Sequence, residues 1–154
     1  MGLKAVSRTI AGAADYETGS WTPVLEGSTV AVAQTYANQV GRFVKVGPLV
    51  WVTSITTLSA FDASTSGSML ITGLPFLVSD VGGIAPVMTV GRFQDVSLDV
   101  AGGYYFPPLQ AQNGSRYVQI NQFGDNVSDK AVGHTSISGA TAIRFSGIYT
   151  TGLT

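Results

Sequence analysis

The chain has 154 residues, a formal net charge of −1, a pI near 5.6 and no cysteine, so it can bury one real core but cannot form disulfides or thiolate metal sites. No basic stripe is present to neutralise phosphates, which argues against nucleic-acid binding. Charged residues are only 11% of the chain against about 25% in ordinary soluble domains, so the surface is expected to be covered partly by Ser, Thr, Asn and Gln and partly by other copies or a particle.

Residues 3–14 are the one weakly helical stretch and read equally well as an extended arm. Lys4 and Arg8 interrupt any signal-peptide core, and Val6 stands where a myristoylation signal needs Ser or Thr. From residue 15 onward, 19 glycines and 6 prolines across the chain separate short runs of Val, Ile, Thr, Phe and Tyr, the pattern of many short strands joined by turns. Strands are predicted over 21–25, with Pro23 marking an edge or irregularity, over 30–33, and over 36–46, where Gly41 marks a bulge or a close approach. Gly47-Pro48 makes a turn into a strong strand over 49–58, in which Val50, Val52, Ser54 and Thr56 share one face and Leu49, Trp51, Thr53, Ile55 and Thr57 the other. Neither face is cleanly polar, so both are expected to be partly covered. Uncharged stretches such as 46–61 are broken by Gly, Pro, Ser and Thr, so no membrane-inserting helix is expected.

Further strands are predicted over 68–72, ended by Gly73-Leu74-Pro75-Phe76, over 82–93 and 96–100, divided at Gln94-Asp95, and over 104–109, broken by Pro107-Pro108. Asn113-Gly114 is the best hairpin signal and joins 105–111 to 116–122. Residues 123–139 look loop-rich, and 142–149 is the closing strand. With no convincing helix after residue 15, the expected fold is all-β, an antiparallel jelly-roll-like sandwich over 15–154 preceded by an arm over 1–14.

Several phrases occur in order: Asp15-Tyr16-Glu17-Thr18-Gly19-Ser20-Trp21-Thr22-Pro23, then Tyr36 followed by Gly41-Arg42-Phe43-Val44-Lys45-Val46-Gly47, then Gly73-Leu74-Pro75-Phe76, and finally Phe145-Ser146-Gly147-Ile148-Tyr149. Together they resemble a C-terminal knob module of bacteriophage tail-fibre and tailspike proteins. The resemblance implies a virion protein assembled in the bacterial cytoplasm, a homotrimeric β-sandwich that binds other virion proteins and a host-surface polysaccharide. Only residues 1–14 precede the first phrase, so a copy without a fibre shaft needs another route onto the particle. The arm, through Leu3, Val6 and Ile10 with Trp21 beside it, is the expected anchor. A capsid decoration or head-fibre role held by that arm is the alternative.

Chemistry-bearing constellations are sparse, and no enzyme and no cofactor are expected. His134 is the single histidine; Ser136 and Asp129 are near it in sequence, but no nucleophile-elbow pattern accompanies them. Asp125, Asn126 and Asp129 offer hard oxygens to a cation, but their spacing is that of a turn, not of a calcium loop. Glu17 and Glu26 are the only glutamates, and a glycosidase carboxylate pair is not indicated. The binding candidates are Tyr104, Tyr105, Phe106 and Tyr117, whose rings can stack on sugars. Gln110, Gln112, Asn113, Gln119, Asn121 and Gln122 around the hairpin can hydrogen-bond hydroxyls. The competing reading is that these aromatics fill the core or a subunit interface.

Overall fold

The computed structural model describes residues 16–80, 82–83 and 85–152; the expected arm, with Leu3, Val6 and Ile10, lies outside them. The described residues form eleven strands: β1 (Tyr16–Trp21), β2 (Val24–Gly27), β3 (Thr35–Val46), β4 (Leu49–Ala60), β5 (Met69–Thr72), β6 (Val87–Val96), β7 (Tyr104–Phe106), β8 (Leu109–Ala111), β9 (Tyr117–Gly124), β10 (Lys130–Ala131) and β11 (Ile137–Thr150). Every pairing is antiparallel, in the order β1-β3-β4-β11-β6-β8-β9-β5-β2, with β7 and β10 added on β9. The ribbon curls into two facing halves. Strand β6 is the corner: Val87 and Met88 pair with β8, while the strand from Thr89 onward pairs with β11. A register shift opposite Arg144/Phe145 lets it turn.

The core lies between the halves. Phe43, Val50, Val52, Ile143, Phe145 and Tyr149 come from one side, and Leu25, Met69, Ile71, Leu109, Val118 and Ile120 from the other. The period-2 alternation of β4 explains its placement, since Val50, Val52, Ser54, Thr56 and Leu58 are all buried. Its other face is left partly open by the described residues, with Leu49 and Trp51 exposed.

Expectation and structure differ at several joints. The stretch 21–25 is two strands, because Pro23 cannot donate to a ladder: β1 ends at Trp21 and pairs with β3, and β2 starts at Val24 and pairs with β5 at the far end of the ribbon. Residues 30–33 supply only a bridge, Val30 to Ser66. Strand β6 continues through Gln94-Asp95, with Asp95 at φ 53°; residues 100–102 form a 3-10 turn, not a strand. The polar 123–139 stretch holds β10 and a second 3-10 turn, His134–Ser136.

The four ordered phrases converge in one packed node. The Trp21 ring lies against Gly41, where any Cβ would overlap the indole, and its Nε1 donates to the Arg42 carbonyl at 3.3 Å. Gly41 is therefore a close approach, and the register shifts of β3 occur elsewhere, between Thr35 and Asn38. Trp21 and Phe145 stand 6.3 Å apart, and Phe43 meets Phe76 edge-on at 5.2 Å. The Tyr149 hydroxyl accepts from the Phe76 amide and donates to the Phe76 carbonyl, both at 3.2 Å. Tyr36 does the same for Leu25, accepting from its amide at 2.9 Å and meeting its carbonyl at 3.4 Å. These phrases hold the two halves together.

Candidate functional site

Strand β9 separates the sequence-predicted binding residues instead of gathering them. Tyr104 pairs opposite Gly124 at its C-terminal end, whereas Tyr117 opens it, opposite Thr72. Seven residue steps along the strand separate the two ends, roughly 23 Å at about 3.3 Å per residue. Gln112 and Asn113 belong to the Tyr117 end. There the hairpin expected from Asn113-Gly114 forms, β8 pairing with β9 across a loop over 112–116 in which only Gly114 has positive φ. The Gln112 amide donates to the Tyr117 carbonyl at 3.2 Å, and Asn113 Nδ2 donates to Asp80 at 3.2 Å. Gln122 and Asn121 are buried and structural: Gln122 Oε1 accepts from the Asp99 amide at 2.9 Å, and Asn121 Nδ2 donates to Gln110 Oε1 at 3.4 Å.

At the other end Tyr105, Phe106 and Phe123 form an exposed aromatic edge, with Phe106 68% exposed. Phe106 pairs opposite Phe123. Lys130 Nζ stands 5.6 Å from the Tyr104 ring centroid and 3.2 Å from Asp99 Oδ2. Its hydrogen bond, together with the Gly102 amide, lowers the Asp99 carboxyl below its ordinary value. Phe123 and Lys130 were missed because they lie in a stretch whose polarity reads as loop.

Trp21 is not on an assembly surface of this chain, as its ring is in the core with 7% exposure. The turn at Asp125 and Asn126, with Asn126 at φ 56°, is exposed, and no group of three metal-ligating side chains occurs among the described residues. His134 opens its 3-10 turn with its amide on the Gly67 carbonyl at 3.1 Å. No described helix is long and apolar enough to cross a membrane.

A further exposed surface is the outer face of β1, β3, β4 and β11. The registers align Tyr16, Val46, Leu49 and Thr150 in one row, and Thr18, Val44, Trp51 and Ile148 in the next. Trp51 is 40% and Ile148 51% exposed, so this end of the face is apolar and open to solvent. The row after that aligns Ser20, Arg42, Thr53, Ser146 and Thr89, followed by Val40, Ile55, Arg144 and Arg92. The face thus grades from apolar at one end to cationic at the other. Sequence alone gave the alternation of β4 but not the neighbours that extend it.

No family model and no curated protein matches the chain. Among solved structures, the chain is similar to the Dettilon tailspike protein gp208, with a TM-score of 0.67 at 17% identity, covering 88% of this chain and 24% of that one. The chain therefore spans about a quarter of that protein's length and shares its β-fold over that region.

Proposed function

We propose that the chain is a structural protein of a bacteriophage virion, of the tail-fibre or tailspike type. In this reading it assembles in the bacterial cytoplasm as a homotrimeric knob, attaches the particle to host-surface glycan, and performs no covalent chemistry of its own. The apolar end of the outer sheet face carries the reading. Two neighbouring rows, with Val46 and Leu49 in one and Trp51 and Ile148 in the other, open to solvent, are the kind of patch that subunit contacts cover, and a chain with 11% charged residues has few other means of keeping that surface soluble. The likeness to a tailspike region supports the setting. The exposed Tyr105, Phe106 and Phe123 edge supports stacking on sugar rings.

Sedimentation of the purified full chain tests assembly, with a trimer expected. A Trp51→Asp, Ile148→Asp double variant should sediment as a folded monomer. A native chain that stays monomeric at high concentration overturns the trimer. Co-sedimentation with bacterial envelope fractions tests attachment, and absence of binding to every fraction overturns it. Incubation with bound polysaccharide should leave its viscosity unchanged, and a steady fall would identify a hydrolase instead.

A further inference from the structure

The cationic end of the outer face lies apart from the apolar rows of Leu49 and Trp51. Arg42 on β3 and Arg144 on β11 line a shallow concavity of about 170 Å³ with Val40, Thr53, Ser54 and Ile55. Arg92 on β6 stands directly opposite Arg144 in the ladder. Like charges facing each other across a strand pair are destabilising, and the chain has only five arginines to place. Arg92 is tied to Gln94 Oε1, which its Nε and Nη2 both reach, and Gln94 Nε2 passes the contact to Asp95 at 2.9 Å. The guanidinium groups of Arg42 and Arg144 meet no carboxylate among the described residues, where Lys130 to Asp99 is the only ion pair.

We propose that this concavity binds an acidic monosaccharide unit of a polysaccharide, with its carboxylate held between Arg42 and Arg144. The guanidinium fork matches a carboxylate in two parallel hydrogen bonds. Val40 and Ile55 offer aliphatic surface to the C–H face of a sugar ring. Thr53 Oγ1 donates to the Phe145 carbonyl at 3.3 Å, which leaves its lone pairs to accept from a sugar hydroxyl. The concavity, at about 170 Å³, is on the scale of one sugar ring with its acid group. The site is separate from the Tyr105–Phe106 edge. The proposal rests on the attachment reading, which it deepens by naming the class of sugar.

Retention of the full chain on immobilised polygalacturonate, alginate and polysialic acid tests it, with dextran as the neutral control and polyglutamate as a carboxylate polymer without sugar rings. Salt-sensitive retention on at least one acidic polysaccharide, and not on dextran, is expected. Arg42→Gln and Arg144→Gln should each weaken it about tenfold or more, while Arg116→Gln should leave it unchanged. All variants should keep the native thermal midpoint within a few degrees. No retention on any of the three, equal retention on polyglutamate, or indifference to both substitutions would falsify the site. Envelope binding separates this from the broader reading. If the native chain and the Arg42→Gln, Arg144→Gln double variant bind host envelope equally, the acidic-sugar site falls and attachment stands.

Discussion

Ser54 Oγ and Thr56 Oγ1 lie on the inner face of β4, buried and without a hydrogen-bond partner. A buried hydroxyl left unpaired costs about 1–3 kcal/mol, so Ser54→Ala and Thr56→Val should be neutral or raise stability by up to about 1 kcal/mol in urea titration. A loss of more than that would mean the hydroxyls have partners. Tyr149 is the opposite case, because its hydroxyl serves both backbone groups of Phe76. Tyr149→Phe should cost about 1–3 kcal/mol by the same measurement. Burial of the Tyr149 hydroxyl, opposed by its Phe76 hydrogen bond and by nearby Arg116, pushes its pKa up to about 12 from an ordinary 10.0. The folded state therefore holds the proton more tightly than the unfolded one. Its contribution is complete below pH 10 and is lost as pH climbs through about 12. Alkaline unfolding should steepen across that window in the native chain and less so in Tyr149→Phe. Gly41→Ala should destabilise strongly, by about 2 kcal/mol or more, because the new methyl must displace the buried Trp21 ring.

Among the elements, β4 is the most legible, because apolar alternation and the flanking Gly47-Pro48 turn define a strand from local sequence, whereas β11 is legible only from 142 and its start at Ile137 falls in a stretch that reads as loop. Both are central, with β4 between β3 and β11, and β11 between β4 and β6. Their amides should be the slowest to exchange with deuterium, and those of β7 and β10, which pair on one side only, the fastest. Uniform exchange rates along the chain would contradict this order. The break at Pro23 was visible as an irregularity, but that it sends β1 and β2 to opposite ends of the ribbon was not, because partner choice is set by contacts with β3 and β5. Strand β7 with its aromatic edge was foreseen as a segment broken at Pro107-Pro108. Its distance from Tyr117 follows from the hairpin, whose register sets residues 104–106 against 123–124 and leaves Tyr117 beside the turn.

For the whole molecule, composition predicted a surface that needs covering, and the registers show where such a surface lies. The apolar and cationic ends of the outer face come from segments some hundred residues apart, around 16–20, 40–46, 49–57, 89–92 and 144–150. No local pattern links them, so Arg42 and Arg144 read in sequence as unrelated surface charges. The four phrases that first suggested a particle protein are, in three dimensions, mostly the stitching of the core. Their inward residues, Trp21, Phe43, Phe145 and Tyr149, pack the core, while alternate residues of the same phrases, such as Tyr16, Val46 and Ile148, lie on the exposed outer face.

The common row of Tyr16 and Thr150 has a mechanical consequence. Residues 16 and 150 lie at one pole of the same half-sheet, three strands apart, roughly 14 Å at about 4.8 Å per strand. Tension applied between them pulls sideways and would peel β1 from β3 one bonded pair at a time. Tension between residue 16 and the arginine pole instead draws β1 lengthwise, so that its ladder bonds, which lie perpendicular to the strand, are strained together. Single-molecule pulling from residue 16 should therefore yield at low force against a handle at residue 150, and at markedly higher force against a handle on the β3–β4 face near Arg42. A knob tethered at one pole and gripped at the other would be loaded along its stiff direction.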